Sequence, residues 1–386
     1  MSRSKSALVE RVRGRLIASG AEPSPAKVAE ALREEGLLVG DESLIALVAQ
    51  LRSELAGAGP LEALMADEFV SDVLVNGPDS VWVDRGRGLE ATSVSFGDET
   101  AVRRLAQRLA ARAGRRLDDA SPYVDARLPD GARLHAVIPP VAPRGTCISI
   151  RVPRKRGFSL PELVAAGMMP DEGARWLEQI VARRLAFLVS GGTGAGKTTL
   201  LATLLSLVPD RDRLLVVEDS SELDPNHPHV VRLESRPPNV EGVGAVTLRD
   251  LVRQALRMRP DRLVLGEVRG AEVVELLSAL NTGHEGGCGT LHANSATDVP
   301  ARLEALALAA GLPRAALHAQ VAAGLDAVIH VDRSANGIRL VREVCVLVPQ
   351  DDHLVRSVTA LRFGDATVVH GPGLGRLKAR LAGSDS

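Results

Sequence analysis

Aromatic side chains are scarce in this 386-residue chain: 2% of positions, with one tyrosine and two tryptophans. Single-strand nucleic-acid binders stack bases on such rings, so their usual platform is missing. Nor is there a basic excess. Lys and Arg total 47 against 48 Asp and Glu, a formal net charge of −1, whereas a dedicated nucleic-acid binder is strongly basic. The cysteines, Cys147, Cys288 and Cys345, lie far apart without C-x-x-C spacing. That excludes a four-cysteine zinc module and suits a reducing compartment. No apolar run reaches membrane-spanning length, and no signal-peptide core is seen. The expected location is therefore the cytoplasm, with any membrane association made through partners. Lysine is rare as well, five residues in all, and arginine supplies the remaining basic charge.

One of those lysines falls where a compact ammonium has a defined use. Gly191-Gly192-Thr193-Gly194-Ala195-Gly196-Lys197-Thr198-Thr199 fits the pattern G-x-x-x-x-G-K-[ST]. It follows the apolar run 185–189 and precedes a helix-like run at 200–205. Strand, glycine-rich loop and helix form the context of a phosphate-binding loop. The glycines allow successive N–H groups to turn toward phosphates, with the dipole of the next helix behind them. Lys197 is expected at the β- and γ-phosphates of ATP, and the Thr198 hydroxyl at Mg²⁺.

An apolar content of 45% over this length supports two or three domains with large cores. Residues 1–58 read as short amphipathic helices. Residues 59–152 mix short strands with a basic amphipathic helix from Glu99 to Ala113, a small α/β domain. The segment 153–160, with its Pro153-Arg154-Lys155-Arg156-Gly157 run, is the expected linker. From 161 to 386, strands and helices alternate, which implies a mainly parallel sheet covered by helices. Thr247-Leu248-Arg249-Asp250 is a capping-type helix start. Asn336-Gly337 between two apolar runs signals a hairpin. The last dozen residues are expected to be loosely ordered.

Hydrolysis needs a metal, a group that orients water and positive charge for the transition state. Acids sit just past two strand ends, Glu218-Asp219 and Glu267, where ligands bind in open α/β sheets. Glu267 holds the position of a Walker B acid, although the usual aspartate before it is replaced by Gly266. Metal binding there is expected to run through water to Glu267. His284 and His292 fall in a second glycine-rich cluster, where a histidine can donate to phosphate at neutral pH. Zinc is not expected, because sulfur and acid partners lack ligand spacing. Arg257, Arg259 and Arg269 flank the Walker B strand, while Arg133, Arg144 and Arg151 lie in the small domain. An arginine delivered in trans is the natural source of the missing charge.

Taken together, the loop at 191–199, the run Val217–Leu223, Arg257–Arg262 with Gly266–Gly270, and Thr282–Glu285 through His292–Ser295 resemble one family. They are similar to the Walker A, Asp box, Walker B and His box of the type II/type IV secretion ATPases, most closely the Tad/CpaF-like group that serves Flp pili. Segments 59–64, 75–77 and 128–133 resemble that group's N-terminal domain. The resemblance spans about 59–347. It implies a RecA-like P-loop ATPase domain behind the smaller α/β domain, in a homo-oligomer, a hexameric ring. Closing and opening of its interfaces would drive a membrane-embedded platform protein. It also implies that Glu218 and Glu267 position water and Mg²⁺, that His292, with His284 as second candidate, meets the γ-phosphate side, and that Arg133, Arg144 and Arg151 complete the site. Cys288 departs from the larger residue expected in the His box. The alternative reading is a DNA-translocating conjugation-type ATPase, against which the near-neutral charge and scarce aromatics count.

Overall fold

A computed structural model describes residues 25–34, 57–67, 69–86, 88–152, 157–236, 238, 243–334, 336–364 and 367–383. The helical patterns read at 9–17 and 44–55, and linker residues 153–156, lie outside these. The chain divides into two compact units, Met1–Lys155 and Arg156–Ser386.

The first unit holds a six-stranded sheet in the order β3-β2-β1-β6-β5-β4. Its strands are β1 Asp72–Asn76, β2 Val81–Asp84, β3 Leu89–Ala91, β4 Tyr123–Arg127, β5 Arg133–Val137 and β6 Cys147–Arg151. Every pairing is antiparallel. Alternation sends Val73, Val75, Val124, Leu134, Ile148 and Ile150 to one face. The helix Glu99–Arg112 covers that face with Val102, Leu105, Ala106, Leu109 and Ala110, which recur at helical spacing. Asp98 caps it by accepting from the Ala101 N–H at 2.7 Å. A further helix, Pro25–Glu34, buries Val28 and Leu32.

The second unit is a nine-stranded sheet ordered β15-β14-β13-β12-β7-β11-β10-β8-β9. The strands are β7 Phe187–Gly191, β8 Leu214–Glu218, β9 Val230–Glu234, β10 Arg262–Val268, β11 Cys288–His292, β12 Ala327–Arg333, β13 Arg339–Pro349, β14 Val355–Phe363 and β15 Val368–His370. From β12 through β9 the pairings are parallel, and β13 to β15 add an antiparallel flank. β7 is sheathed on both faces. Phe187 and Val189 join a core with helices Leu160–Ala165, Asp171–Ala182, Lys197–Leu205 and Leu374–Ala382. Leu188 joins the opposite core, beneath Leu248–Ala255, Glu272–Leu280, Val299–Ala309 and Arg314–Gly324. Two-sided burial explains why these strands read as continuous apolar runs rather than alternating ones. Leu200, Leu201, Leu204 and Leu205 are all buried, so the helix after the loop is fixed by packing around most of its girth.

The predicted capping start is a full capping box. Thr247 Oγ1 accepts from the Asp250 N–H at 3.2 Å, and the Asp250 carboxylate accepts from the Thr247 N–H at 3.1 Å. The hairpin forms where Asn336-Gly337 signals it, between β12 and β13. The chain end differs from expectation. Residues 374–382 form a helix that buries Leu377 and Leu381 against the sheet. Those leucines sit four residues apart on one helical face, and their burial orders a segment with no other start signal.

Candidate active site

The chemistry gathers at the carboxyl ends of β7, β8, β10 and β11. Gly191 closes β7 so near the Val331 carbonyl that an added methyl would overlap it. Gly194 and Gly196 take φ of 72° and 97°, in the left-handed region that favours glycine. Ser190, just before the loop, shares a 2.9 Å hydrogen bond with His330 Nδ1, which ties β7 to β12. Lys197 opens the helix Lys197–Leu205 and folds back beneath the loop. Its Nζ donates to the carbonyls of Gly191 at 3.1 Å and Gly192 at 2.8 Å. The side chain is 7% exposed. Burial pulls its ammonium below the usual lysine range, with Arg269 pushing the same way and Glu267 opposing.

The β7–β11 register sets His292 opposite Gly191. Its Nδ1 is 3.3 Å from Lys197 Nζ, and its Nε2 is 3.0 Å from Glu267 Oε1. An ammonium only donates, so Nδ1 accepts and the ring proton sits on Nε2, facing the carboxylate. Burial and the Lys197 charge both lower the His292 pKa, which favours that neutral form. On its other side Glu267 Oε2 accepts from Arg269 at 2.5 Å. Burial alone would raise the Glu267 pKa; Arg269, then His292 and Lys197, outweigh it and hold the carboxyl below the usual range. The loop lysine, the histidine, the Walker B acid and its arginine thus form one chain of contacts.

A bulge aims Glu267. Leu265 pairs with Gly289 and Val268 with Leu291, so β10 spends one residue more than β11 over the same span. Thr290 Oγ1 pins the bulge by donating to the Gly266 carbonyl at 2.6 Å. The space beside Gly266, not the bulge, accounts for the missing aspartate. A Cβ on Gly266 would meet Glu218 Cγ at 2.5 Å and Oε1 at 2.9 Å, so the Glu218 side chain occupies that space.

Glu218 ends β8 and is 4% exposed. Its Oε1 accepts from the N–H groups of Glu222 at 3.1 Å and Leu223 at 3.0 Å. Its Oε2 is buried without a hydrogen-bond partner. Burial pushes this carboxyl up to about 7, so near neutrality it holds or releases a proton with similar ease.

Not every candidate gathers here. The β11 register places Cys288 opposite Phe187, at the amino end of the sheet, and His284 precedes it on that side. His284 is therefore separated from Lys197 by the length of β11, and its Nδ1 is a buried atom without a partner. Cys288 is buried and its thiol is pushed up to about 12, a packing role. Arg257 and Arg259 lie in the turn before β10.

The remaining candidates sit in the first unit. Arg133 pairs bidentately with Asp125, at 3.1 and 2.8 Å, and Arg151 reaches Asp72 at 3.4 Å. Arg144 is exposed in the segment before β6. Thr146, two residues on, donates to the Glu99 carboxylate through its N–H at 2.7 Å and its hydroxyl at 2.6 Å. Cross-strand register adds an arginine that sequence reasoning overlooked: Arg127 faces Arg133, which faces Arg151. Only strand pairing reveals such a row; one exposed arginine per strand gives no signal by itself.

Residues 54–366 match the family model described as type II/IV secretion system protein. The chain belongs to that family. A putative conjugal transfer protein of Mycobacterium tuberculosis is 56% identical over 328 residues, covering 83% of this chain and 93% of its own. The type IV secretion system protein PtlH of Bordetella pertussis is 33% identical over 303 residues, covering 71% and 89%. The ATPase DotB of Yersinia pseudotuberculosis shares the fold, with a TM-score of 0.53 at 16% identity, over 84% of this chain and 81% of that one. The second unit is accordingly a RecA-like P-loop domain, and this secretion-family member is an ATPase acting on a nucleotide. Among the described residues no helix is long and apolar enough to cross a membrane, and no group of three or more His, Cys, Asp or Glu is placed to hold a metal.

Proposed function

We propose that this chain is the motor subunit of a secretion or pilus-assembly machine, a hexameric ring in which ATP turnover moves the domains against a membrane platform protein. The observation that carries the site is the contact chain Lys197–His292–Glu267–Arg269 beside the loop at 191–199. A desolvated ammonium held by two carbonyls and an imidazole gains most from a ligand that brings formal negative charge, which is what phosphates supply. The donor set also fits Mg²⁺, which favours hard oxygens and keeps several waters. Thr198 would hold the ion directly and Glu267 through water, beside the phosphates. The metal, when bound, would neutralise charge developing on the transferred phosphoryl group.

In this reading Glu218 and Glu267 position the attacking water, and Glu218, whose carboxyl burial pushes up to about 7, takes its proton. His292 reports the γ-phosphate to Lys197 and Glu267 at once. Arg133, Arg144 and Arg151 supply charge from a neighbouring subunit. The domain boundaries proposed are 1–58, 59–152, the linker 153–160 and 161–386. The cytoplasmic face of the membrane is the proposed location, and a Tad/CpaF-like pilus system the proposed machine. The mycobacterial relative's description as a conjugal transfer protein favours the second reading, a DNA-translocating ATPase.

One set of rate measurements separates them. If the chain drives a pilus or secretion platform, single-stranded DNA leaves phosphate release unchanged. Stimulation of several-fold with steep salt dependence would establish the DNA translocase instead. Mixing Lys197→Ala subunits into wild type tests the ring: activity is expected to fall more than in proportion, and a linear response would argue for independent subunits.

A further inference from the structure

Arg339 lies outside all four nucleotide motifs, yet it touches the phosphate loop. It begins β13, and the β12–β13 register pairs it with Arg333. β12 is paired in turn with β7, the strand that enters the loop. The turn that delivers it is held by Gly337 N–H on the Ser334 carbonyl at 2.9 Å, Ser334 N–H on the Ile338 carbonyl at 2.8 Å and Arg333 Nε on the Gly337 carbonyl at 3.2 Å. Arg339 Nε donates to the Gly194 carbonyl at 3.0 Å. Its stem lies along Gly196, where an added Cβ would come within 2.9 Å of Arg339 Cδ.

Peptide geometry turns that outer contact into an inner one. A trans peptide is planar, so the Gly194 carbonyl and the Ala195 N–H point in opposite directions. A guanidinium holding the carbonyl fixes where the N–H aims. That N–H faces the Gly192 carbonyl at 3.4 Å, the same oxygen that Lys197 Nζ contacts at 2.8 Å. The Ala195 N–H therefore points to the side of the loop that holds the lysine. Its present contact is long and is readily exchanged for a phosphate oxygen.

We infer that Arg339 is a positioning residue of the nucleotide site: from outside the loop it orients the Gly194–Ala195 peptide toward bound phosphates, and so sets affinity for ATP and ADP alike within one subunit. This rests on reading the loop as the nucleotide site. Both ligands gain, because both present phosphates to the loop. The turnover rate at saturation does not change, since the contact is equal in ground and transition states.

The test uses the full chain and three variants. Arg339→Met keeps the stem against Gly196 and removes the donor; Arg339→Lys keeps a cation that reaches the carbonyl; Arg339→Ala removes both. Binding is read with fluorescent N-methylanthraniloyl ATP and ADP, alongside steady-state phosphate release and amide exchange of the loop. Arg339→Met is expected to weaken both nucleotides about tenfold, with kcat within about twofold of wild type and faster exchange at Ala195. Arg339→Lys should recover most of the affinity. Unchanged affinity in Arg339→Met, or a loss confined to kcat, overturns the inference. Wild-type protein that binds neither fluorescent nucleotide would instead overturn the reading of the loop. Should Arg339→Ala fail to fold, the Met and Lys variants decide.

Discussion

The two ends of the nine-stranded sheet both bury charge, and they do it differently. At the amino end Arg262, 1% exposed, donates to the Val181 carbonyl at 3.0 Å and lies 3.5 Å from Asp212. Arg184 reaches the same Asp212 at 3.4 Å and the Asp261 carbonyl at 2.7 Å, while the Asp261 carboxylate accepts from the Arg213 N–H at 2.8 Å. Cation meets anion there, and both are anchored to backbone. At the carboxyl end the ammonium of Lys197 rests on carbonyls and a neutral imidazole, and Glu218 keeps a buried oxygen with no donor. Pairs of opposite charge hold the strands at the amino end, where Arg213 Nε, Arg262 Nε and His284 Nδ1 are nonetheless buried without a hydrogen-bond partner. What distinguishes the carboxyl end is a buried ammonium whose hydrogen-bond partners are carbonyls and an imidazole rather than a carboxylate. The family's motifs span both ends, so resemblance alone does not sort them. The Arg257–Arg262 run and His284 lie at the amino end, whereas Glu218, Glu267 and His292 lie at the carboxyl end.

Substitutions can break that contrast. Lys197→Ala should cut phosphate release by about a hundredfold or more while leaving the thermal midpoint unchanged or raised, because the ammonium is desolvated. Near-normal turnover would defeat the assignment. Glu267→Gln should lower kcat by roughly a hundredfold with nucleotide affinity retained, as measured by fluorescence titration; an unaltered kcat removes the residue from the site. Asp212→Ala, at the other end, should behave in the opposite way. It strands a buried arginine at a cost of about 3–5 kcal/mol, lowering the melting temperature while turnover per folded molecule persists. A selective loss of kcat in stable protein would erase the distinction between the ends.

Two smaller effects sharpen the picture. Gly266→Ala should cost roughly 1–3 kcal/mol, because the new methyl meets a glutamate that its own hydrogen bonds hold still; a melting curve identical to wild type would mean that Glu218 moves freely. Glu218 also gives a pH signature. Its folded pKa of about 7 stands above the ordinary 4.5, so the fold favours the protonated form. That contribution is complete below about 4.5 and is lost as pH rises through about 7, roughly 3 kcal/mol at 1.36 kcal/mol per unit. Glu218→Gln should flatten the fall in melting temperature between those values. An equally steep fall in the variant would place the titration elsewhere.

The loop and the strands beside it were legible because local order carries them. Glycine spacing, one lysine and a following apolar helix are contiguous, and the capping residues at 247–250 are read within four positions. What escaped depends on register. Nothing along the chain says that β10 carries an extra residue at 266–267, or that Gly266 is small because of a side chain on β8. The arginine row of Arg127, Arg133 and Arg151 is invisible until three strands are paired. Arg339 escaped for the same reason: it arrives by way of β12. His284 misled because it shares a glycine-rich run with His292, and the five residues of β11 then carry the chain from the amino end of the sheet to its carboxyl end. β14, β15 and the final helix were missed although Gly364-Asp365 and Gly371-Pro372-Gly373 punctuate them, because their buried residues, such as Ala360 and Leu361 in β14 and Leu377 and Leu381 in the helix, follow no strict alternation or long helical stripe.

The fit between Gly266 and Glu218 has a consequence for anyone rebuilding this enzyme. Two neighbouring strand tips share a single parcel of volume, so their occupants must be exchanged as a pair. Importing the acid that other phosphate-loop proteins carry before their Walker B glutamate would first require evicting the glutamate next door, so the two strand tips would exchange one buried carboxylate for another rather than gain one.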